Sequence, residues 1–592
     1  MSEQETSDTD LSARGLRWIE PDINTEAVAE YARQSGLDEV LAALIYSRGV
    51  AAKDVDAFLH PTLKTFCPDP SSFADMDKAA AEIGQALLEN RKVCVFADYD
   101  VDGATSAAQL NRYFRHFGRE LFLYVPDRLK EGYGPSPDAF QSLKDDGVEL
   151  VITVDCGAAA VDALDHARNI GLPVIVLDHH LMGASIPNCL ALVNPNRQDC
   201  SSGQGHLAAA GVVFVLLIAL NRYFRTQKAM TGSELPELMS YLDLCALGTL
   251  CDMAPLKGVN RAFVVQGLKQ VAQDQSVGLL ALSQVSGRSA PRRVGDLTFG
   301  IGPQLNAGGR LGDPWLATRL LSAEDMGEAL SLAEQLNSLN EARKAVENDI
   351  LDAARRQIEL SLEHNPNQKV LIAMGEGWHP GVIGIVAGRL KDEFHKPVIV
   401  IGHGDGFGEL AKGSARSVQN MNIGEAISAA ATQGILVSGG GHAMAGGLSM
   451  EPENLERLSA FMNDYFAEDV QSLVEARNVK IDLDVMASSL TLDLLTVVEQ
   501  AGPYGAGALK PLFRIRDAII HSRRIVGANH LKVSFGDESG RCDAIAWRCA
   551  DRPLGDALLQ GQKVDLIGYI ERNSWQGRDA VQFEIFDAMK NS

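Results

Sequence analysis

Aspartates and histidines recur in this chain at the ends of apolar runs, in a pattern suited to holding divalent metal ions. Asp98-Tyr99-Asp100-Val101-Asp102-Gly103 follows the run 92–96, Asp155 follows 150–154, and Asp178-His179-His180 follows 174–177. Asp252 ends a helical stretch, and Gly439-Gly440-Gly441-His442 lies far downstream. Hard divalent cations take carboxylate oxygens, and imidazole suits manganese and other transition ions. Two such ions about 4 Å apart activate water and stabilise both oxygens of an in-line displacement at phosphorus. Two-metal phosphoester hydrolysis is the chemistry to expect.

Each residue also has a plainer reading. An Asp after a strand often only caps the helix that follows. A histidine pair at a strand end is commonly solvent-facing, and Asp252, before Met253-Ala254-Pro255, could simply end a helix. D-x-D-x-D-G also matches the opening of a calcium-binding EF-hand loop. Gln109 stands where that loop needs Glu, however, and the preceding run reads as a strand rather than a helix. The joint pattern outweighs the plain readings. Between about 71 and 322, apolar runs of strand length alternate with helical patterns, the signature of βαβ units and a largely parallel sheet. Ligands of open α/β sheets bind beyond the strands' carboxyl ends. Asp98, Asp155 and Asp178-His179-His180 should therefore converge on one rim, with a helix starting near Ala104.

The rest of the chain reads as a multidomain enzyme, since 592 residues exceed a single core. Residues 1–70 read as a helical segment, 323–366 as a long connecting helix, 367–470 as a smaller α/β domain, and 471–592 as a small β-barrel. In the last of these, Trp547, Tyr569, Trp575 and Phe583 lie near Arg541, Arg548, Arg572 and Arg578. Aromatics beside cations are how such barrels bind single strands, although half or more of these rings should fill the interior. Tyr504 reads as a turn residue packing between domains. Nine cysteines without a C-x-x-C pair indicate neither a zinc ribbon nor a disulfide framework. The polar N-terminus is unlike a signal peptide, and the apolar run 207–220 is too short for a membrane span. A cytoplasmic protein without membrane contact is expected. A net charge of −23 is unfavourable for nucleic acid, but Lys510–Ser592 carries 13 Lys/Arg against 11 Asp/Glu. Local basic stripes matter more than the total.

Asp98 to Gly103, Val154-Asp155-Cys156-Gly157, Asp178-His179-His180 and Leu247-Gly248-Thr249-Leu250-Cys251-Asp252 resemble the four motifs of the DHH phosphoesterase superfamily. Gly413-Ser414-Ala415-Arg416-Ser417 and the glycine-rich stretch 439–447 resemble its associated C-terminal domain. Within the superfamily the chain is similar to the RecJ family of bacterial single-strand-specific 5′→3′ DNA exonucleases. That likeness extends to the motif 300–310, ending in Arg310, and to a terminal OB-like barrel.

The resemblance implies two divalent ions, Mn2+ or Mg2+. Asp100 and Asp102 would each hold one, Asp155 would bridge both, and His179 and Asp252 would complete the coordination. His180 would be a ligand or touch the scissile phosphate, while Asp98 and Asp178 would orient ligands. Superfamily members often carry a histidine where Phe96 stands, so the first ion should have a more open sphere with water in that place. Arg128, Ser414 and Arg416 would recognise the 5′ end, with Arg310 and His442 as further DNA contacts. A guanidinium fork suits a terminal phosphate. Implied partners are single-stranded DNA, single-strand-binding protein and a RecQ-type helicase, in recombinational and mismatch repair, with the enzyme a monomer. Rival readings are a DHH phosphodiesterase of cyclic dinucleotides or short oligonucleotides, a manganese-dependent pyrophosphatase, and a non-catalytic Cdc45-like replication factor. Short phosphodiesterases and pyrophosphatases do not need the barrel, and a non-catalytic relative would have lost ligands.

Overall fold

Four short runs of almost unbroken apolar residues, Val93–Ala97, Leu150–Val154, Val174–Leu177 and Ala191–Val193, are buried along their whole length. Together with Phe122–Tyr124 they form an all-parallel five-stranded sheet. Continuous rather than alternating hydrophobicity is what a parallel sheet covered on both faces requires. Val93, Val95 and Ala97 enter one apolar core, while Cys94 and Phe96 enter the other. The spatial order is 122–124, 93–97, 150–154, 174–177, 191–193. The chain thus leaves Val93–Ala97 first to one side and then to the other, which creates a topological switch point where Asp98 and Asp155 stand.

This computed structural model describes residues 11–127, 131–132, 134–183, 185–228, 234–273, 276–404, 410–575 and 578–590. Two compact units emerge: residues 56–344 with 503–509, and the described parts of 1–55, 345–502 and 510–592. In the first unit the apolar run near 207–220 extends into an 18-residue helix, Ala209–Thr226, long and apolar enough by length and composition to cross a membrane. The sequence reading stopped the run at Leu220, but the helix continues through Asn221 and Arg222. Here it is a core helix, with Val212 to Leu217 almost fully buried against the sheet's helical layer. Tyr504 lies in a short segment that belongs to this unit, where the Ala506 carbonyl accepts from Leu256 N at 2.8 Å. A single 39-residue helix, Met326–His364, contains the boundary between the units.

The second unit holds a five-stranded sheet in the order 438–442, 445–450, 411–416, 398–403, 371–376, parallel only between the last two. Its other sheet closes into a barrel. Phe513–Val526 pairs with His530–Gly536 through its second half and with Lys563–Trp575 through its first, bending at bulges where Asp517 takes a positive φ. Arg541–Ala546 and Arg578–Lys590 complete the ring. One long bent strand with two partners is how an open sheet loses its edges.

The N-terminal residues include a strand that the sequence reading did not foresee, Arg17–Ile19, paired in parallel with Asn478–Lys480. Three residues are too few to show a period. Asp587, fully buried in the last barrel strand, accepts from the Ser12 hydroxyl, from Arg14 N at 3.1 Å and from Trp18 Nε1 at 3.2 Å. Arg514, only 4 % exposed at its side chain, bonds both Glu20 and Asp484. The start of the chain is therefore stitched to its last domain. Asp587→Ala would leave several donors without their acceptor, a loss of about 1–3 kcal/mol. We expect a lower denaturation midpoint and earlier proteolytic cleavage within residues 11–20; unchanged protection there would show that these bonds do not hold the segment.

Candidate metal centre

Parallel register brings the strand-end aspartates together. Ala97 pairs with Val154, Val154 with Leu177, and Leu177 with Val193. One residue further on, Asp98 N donates to Val154 O, Asp155 N to Leu177 O and Asp178 N to Val193 O, at 3.0–3.2 Å. Asp98, Asp155, Asp178 and Asn194 thus stand side by side on the carboxyl rim. Asn194 extends the same strand-end rule, and its amide, with that of Asn196, holds the main-chain oxygens of His180 and His179 at 2.9 and 2.6 Å. Both asparagines were passed over in the sequence, although Val193-Asn194 repeats the apolar-run-then-polar pattern. Asp155 has φ +60°, an uncommon conformation for a non-glycine residue and one found where structure over-determines the backbone.

The first motif does cap a helix, and it does more. Asp100 Oδ1 accepts from Asp102 N and Gly103 N at 2.9 and 3.1 Å, so the helix begins at Val101 rather than near Ala104. Asp102, 1 % exposed, accepts from Ala209 N and Ala210 N at 2.7 and 2.8 Å. It therefore caps the apolar helix, whose own N-cap residue, Ala208, has no side chain to do so. The motif glycines are places of close approach. A Cβ on Gly248 would lie 2.8 Å from Asp102 Oδ1, and one on Gly309 2.6 Å from the Tyr99 carbonyl oxygen. Gly103 faces the main chain of Asp98 in the same way.

Asp178 is the orienting residue of the histidine pair. It accepts from Ala158 N, His179 N and His180 N, and its Oδ1 lies 2.7 Å from His180 Nδ1. Burial would raise its pKa, but the His180 bond and charge and the main-chain amides outweigh that and hold it at about 2. Burial would lower His180, yet Asp178 raises it to about 9. This commits Nδ1 to Asp178 and makes Nε2 the atom that could meet a metal or a phosphate. His179 goes the opposite way, pushed down to about 4 by burial and the charge of His180. It is a neutral imidazole, and its buried Nε2 has no hydrogen-bond partner although Asp155 Oδ1 lies 3.2 Å away.

Such an arrangement fits metal ions. Adjacent ligands of an octahedral ion bound at about 2.1 Å lie about 3 Å apart. Three groups have ligand atoms mutually within 4.8 Å: Asp155, His179 and His180; Asp102, His179 and Asp252; and Asp98, Asp100 and Asp155. Asp155 joins two of them and His179 joins two. Asp98, read from sequence as an orienting residue, is also at ligand distance. Burial and mutual repulsion push Asp102 and Asp155 well above the carboxylate range, and Asp252 to about 7. Divalent cations would relieve that repulsion, and carboxylates with imidazole suit Mn2+ or Mg2+. Phe96 is fully buried, stacked on Tyr124 at 5.0 Å and near Phe140, so it belongs to the apolar core and offers no ligand.

The remaining expected site residues fall in three places. Arg128 lies outside the described residues. Arg310 sits on the helix Gly302–Leu311, beside Gly309 and hence next to the Tyr99 loop. Ser414, Arg416 and His442 share one sheet face, for Arg416 pairs with Ala445 and Ala445 with His442, while Ser414 pairs with Gly447 and Gly447 with Gly440. The glycines leave that face bare: a Cβ on Gly447 meets nothing within 4 Å. Arg416 Nη1 is 3.2 Å from Ser414 Oγ, and a Cβ on Gly384, early in the helix Pro380–Phe394, would lie 2.9 Å from that oxygen. A guanidinium and a hydroxyl thus meet the second turn of that helix at the edge of a flat glycine surface. Gly384 was not singled out in the sequence. In the barrel, Phe583 is buried against Phe535, and Tyr569 packs on Phe586. Trp547 is 46 % exposed beside exposed Arg548, whereas Arg572 is engaged by Glu499 and Asp579. The side chains of Trp575 and Arg578 lie outside the described residues.

Asp252 offers a test in the metal-free protein. Its folded pKa of about 7 lies above the ordinary 3.8, so between those values the folded protein holds a proton that the unfolded chain has released. Its contribution to stability therefore falls as pH rises from about 4 to about 7. Asp252→Asn cannot titrate. In EDTA its denaturation midpoint should gain on wild type steadily across that window, and Mn2+ should raise wild type more than the variant. A difference independent of pH would show that Asp252 is not part of the crowded cluster.

Three families match successive parts of the chain: the DHH family N-terminal domain over residues 92–249, the DHHA1 domain over 367–468 and the RecJ OB domain over 481–587. The single-stranded-DNA-specific exonuclease RecJ of Salmonella typhimurium is 33 % identical over 588 residues, which covers 97 % of this chain and 99 % of that protein. Its Escherichia coli counterpart is 34 % identical over 560 residues, covering 93 % and 95 %. A crystal structure of RecJ from Thermus thermophilus in complex with Mn2+ is similar at a TM-score of 0.78 and 28 % identity, covering 97 % of this chain and 80 % of that one. With identity of this level along nearly the full length of both chains, and with the same order of domains, the protein belongs to the RecJ family.

Proposed function

We propose that this protein is a metal-dependent exonuclease that hydrolyses single-stranded DNA from the 5′ end, with recombinational and mismatch repair as its setting. The observation that carries the reading is the convergence of Asp98, Asp100, Asp102, Asp155, His179, His180 and Asp252 on one sheet rim in a member of this family. Asp155 would be shared by the two ions, Asp100 and Asp102 would hold one each, and His179 and Asp252 would complete the set. Asp98 is a further ligand beside Asp100 and Asp155. Two divalent ions bound here supply the Lewis acidity that in-line displacement at phosphorus needs. Asp178 keeps His180 Nδ1 protonated and its ring oriented, so that Nε2–H can donate to a phosphate oxygen or, deprotonated, serve as a ligand. Polarity rests on the corner formed by Ser414 and Arg416 beside Gly384, which takes the terminal 5′ phosphate, with His442 beside the bare glycine face. Trp547 and Arg548 on the barrel are further candidate contacts for single-stranded DNA. Single-strand-binding protein and a RecQ-type helicase are the proposed partners.

Asp155→Ala should abolish cleavage of 5′-labelled single strands and lower the bound Mn2+ content while leaving the circular dichroism spectrum unchanged. Wild-type activity with an unaltered metal content would refute the bridging role. Activity on single-stranded DNA, with little on blunt duplex, cyclic dinucleotide or pyrophosphate, separates the exonuclease from its rivals. Arg416→Ala should remove most of the preference for a 5′ phosphate over a 5′ hydroxyl and spare the chemistry. Degradation from the 3′ end of a doubly labelled strand would overturn the polarity.

A further inference from the structure

Phe299 is 81 % exposed, the most exposed large hydrophobic side chain among the described residues. It lies on a π-helical turn, Asp296–Ile301, whose Leu297 and Ile301 are buried in the apolar core. Short π-helical segments are rare and frequent at functional sites. With the residues two before and two after it buried, the turn presents the Phe299 ring outward. Three arginines lie close to it in sequence, and one is placed beside the turn. A Cβ on Gly300 would lie 2.9 Å from Arg288 Nη1, so that guanidinium rests beside the residue following Phe299. Arg292 N and Arg293 N both donate to Asp296 Oδ2, at 2.9 and 3.0 Å, which occupies the nearby carboxylate with main chain and leaves both arginine side chains exposed where the turn begins.

Placement ties this patch to the metal centre. The turn runs into the helix Gly302–Leu311. A Cβ on Gly302 would lie 2.7 Å from the Cys251 sulfur, next to Asp252, and one on Gly309 would lie 2.6 Å from the Tyr99 carbonyl oxygen, between Asp98 and Asp100. The helix that continues from Phe299's turn thus rests on a helix end and a loop that carry candidate ligands. We propose that Phe299 is a stacking platform for a base of the single strand engaged at the metal centre, with Arg288, Arg292 and Arg293 contacting backbone phosphates. An exposed aromatic face preceded by three exposed arginines fits a nucleic acid better than an apolar protein surface. The inference rests on the exonuclease reading above.

Phe299→Ala should raise KM for a long single-stranded oligonucleotide about 10-fold, with kcat on a trinucleotide unchanged, which also reports a correct fold. Phe299→Trp should retain wild-type KM, and Phe299→Leu should behave as Ala does. Abasic residues introduced one at a time should reveal one position where wild type loses the same factor and Phe299→Ala loses nothing more. Arg292→Ala should make the salt dependence of binding shallower by about 0.7 in log–log slope. An unchanged KM for Phe299→Ala, a Leu variant equal to wild type, or an equal abasic penalty at every position in both proteins would each overturn the platform. If wild type fails to degrade single strands at all, it is the exonuclease reading that falls; normal wild-type degradation with an unaffected Phe299→Ala removes only the platform.

Discussion

Repulsion among Asp98, Asp100, Asp102, Asp155, Asp178 and Asp252 is what the surrounding structure has to contain, because all six carboxylates are buried or half-buried along one sheet rim. Main-chain amides do much of this. Asp100 takes two at the start of its own helix, Asp102 two at the start of a helix more than a hundred residues away, and Asp178 three from the loops around it. Helix N-termini favour negative charge, so the same contacts that satisfy orphan N–H groups also hold the anions in place. Amides do not remove the mutual repulsion of so many acids, and divalent cations would relieve it. The apolar helix Ala209–Thr226 depends on the site as much as the site depends on it, since Asp102 is its cap.

Glycine serves opposite ends in the two units. Around the metal centre, Gly103, Gly248 and Gly309 are positions where another backbone or side chain comes so close that a Cβ has no room. Their absence of a side chain lets three helices approach one cluster. In the sheet of the second unit, Gly447 and Gly440 lie in register with Ser414 and leave a face bare. There the missing side chain opens surface for a ligand, and Ser414, Arg416 and His442 stand at its margin.

Net charge conceals this division of labour. An acidic chain carries part of its excess as buried carboxylates at the sheet rim, while exposed arginines stand close in sequence to its exposed aromatics: Arg548 after Trp547, and Arg288, Arg292 and Arg293 before Phe299. Several other arginines are structural. Arg514 and Arg572 each bond two carboxylates, and Arg514 fastens the N-terminal segment to the barrel. Closure of the barrel through the bent strand Phe513–Val526 makes that fastening possible, because Asp587 and Arg514 both stand on its strands.

The sequence by itself determined which acids and histidines gather at the rim, because this is a local property: an acid or histidine directly after an apolar strand-length run is legible without knowing which strands pair. It also determined the parallel sheet, the long helix and the terminal barrel, each marked by a period or by its loss. Only tertiary structure decided how the donors group, since Asp98 moves from orienting residue to ligand distance through a register shared with Val154. It alone decided that Asp155 has a left-handed backbone, that Asp102 caps a distant helix, and that His179 and His180 differ in protonation although adjacent. The strand Arg17–Ile19 and the exposure of Phe299 were equally hidden. Three residues carry no period, and a phenylalanine in sequence reads as core until a π-helical turn rotates it outward. Register, burial and long-range hydrogen bonds depend on residues far apart in the chain, and no local pattern encodes them.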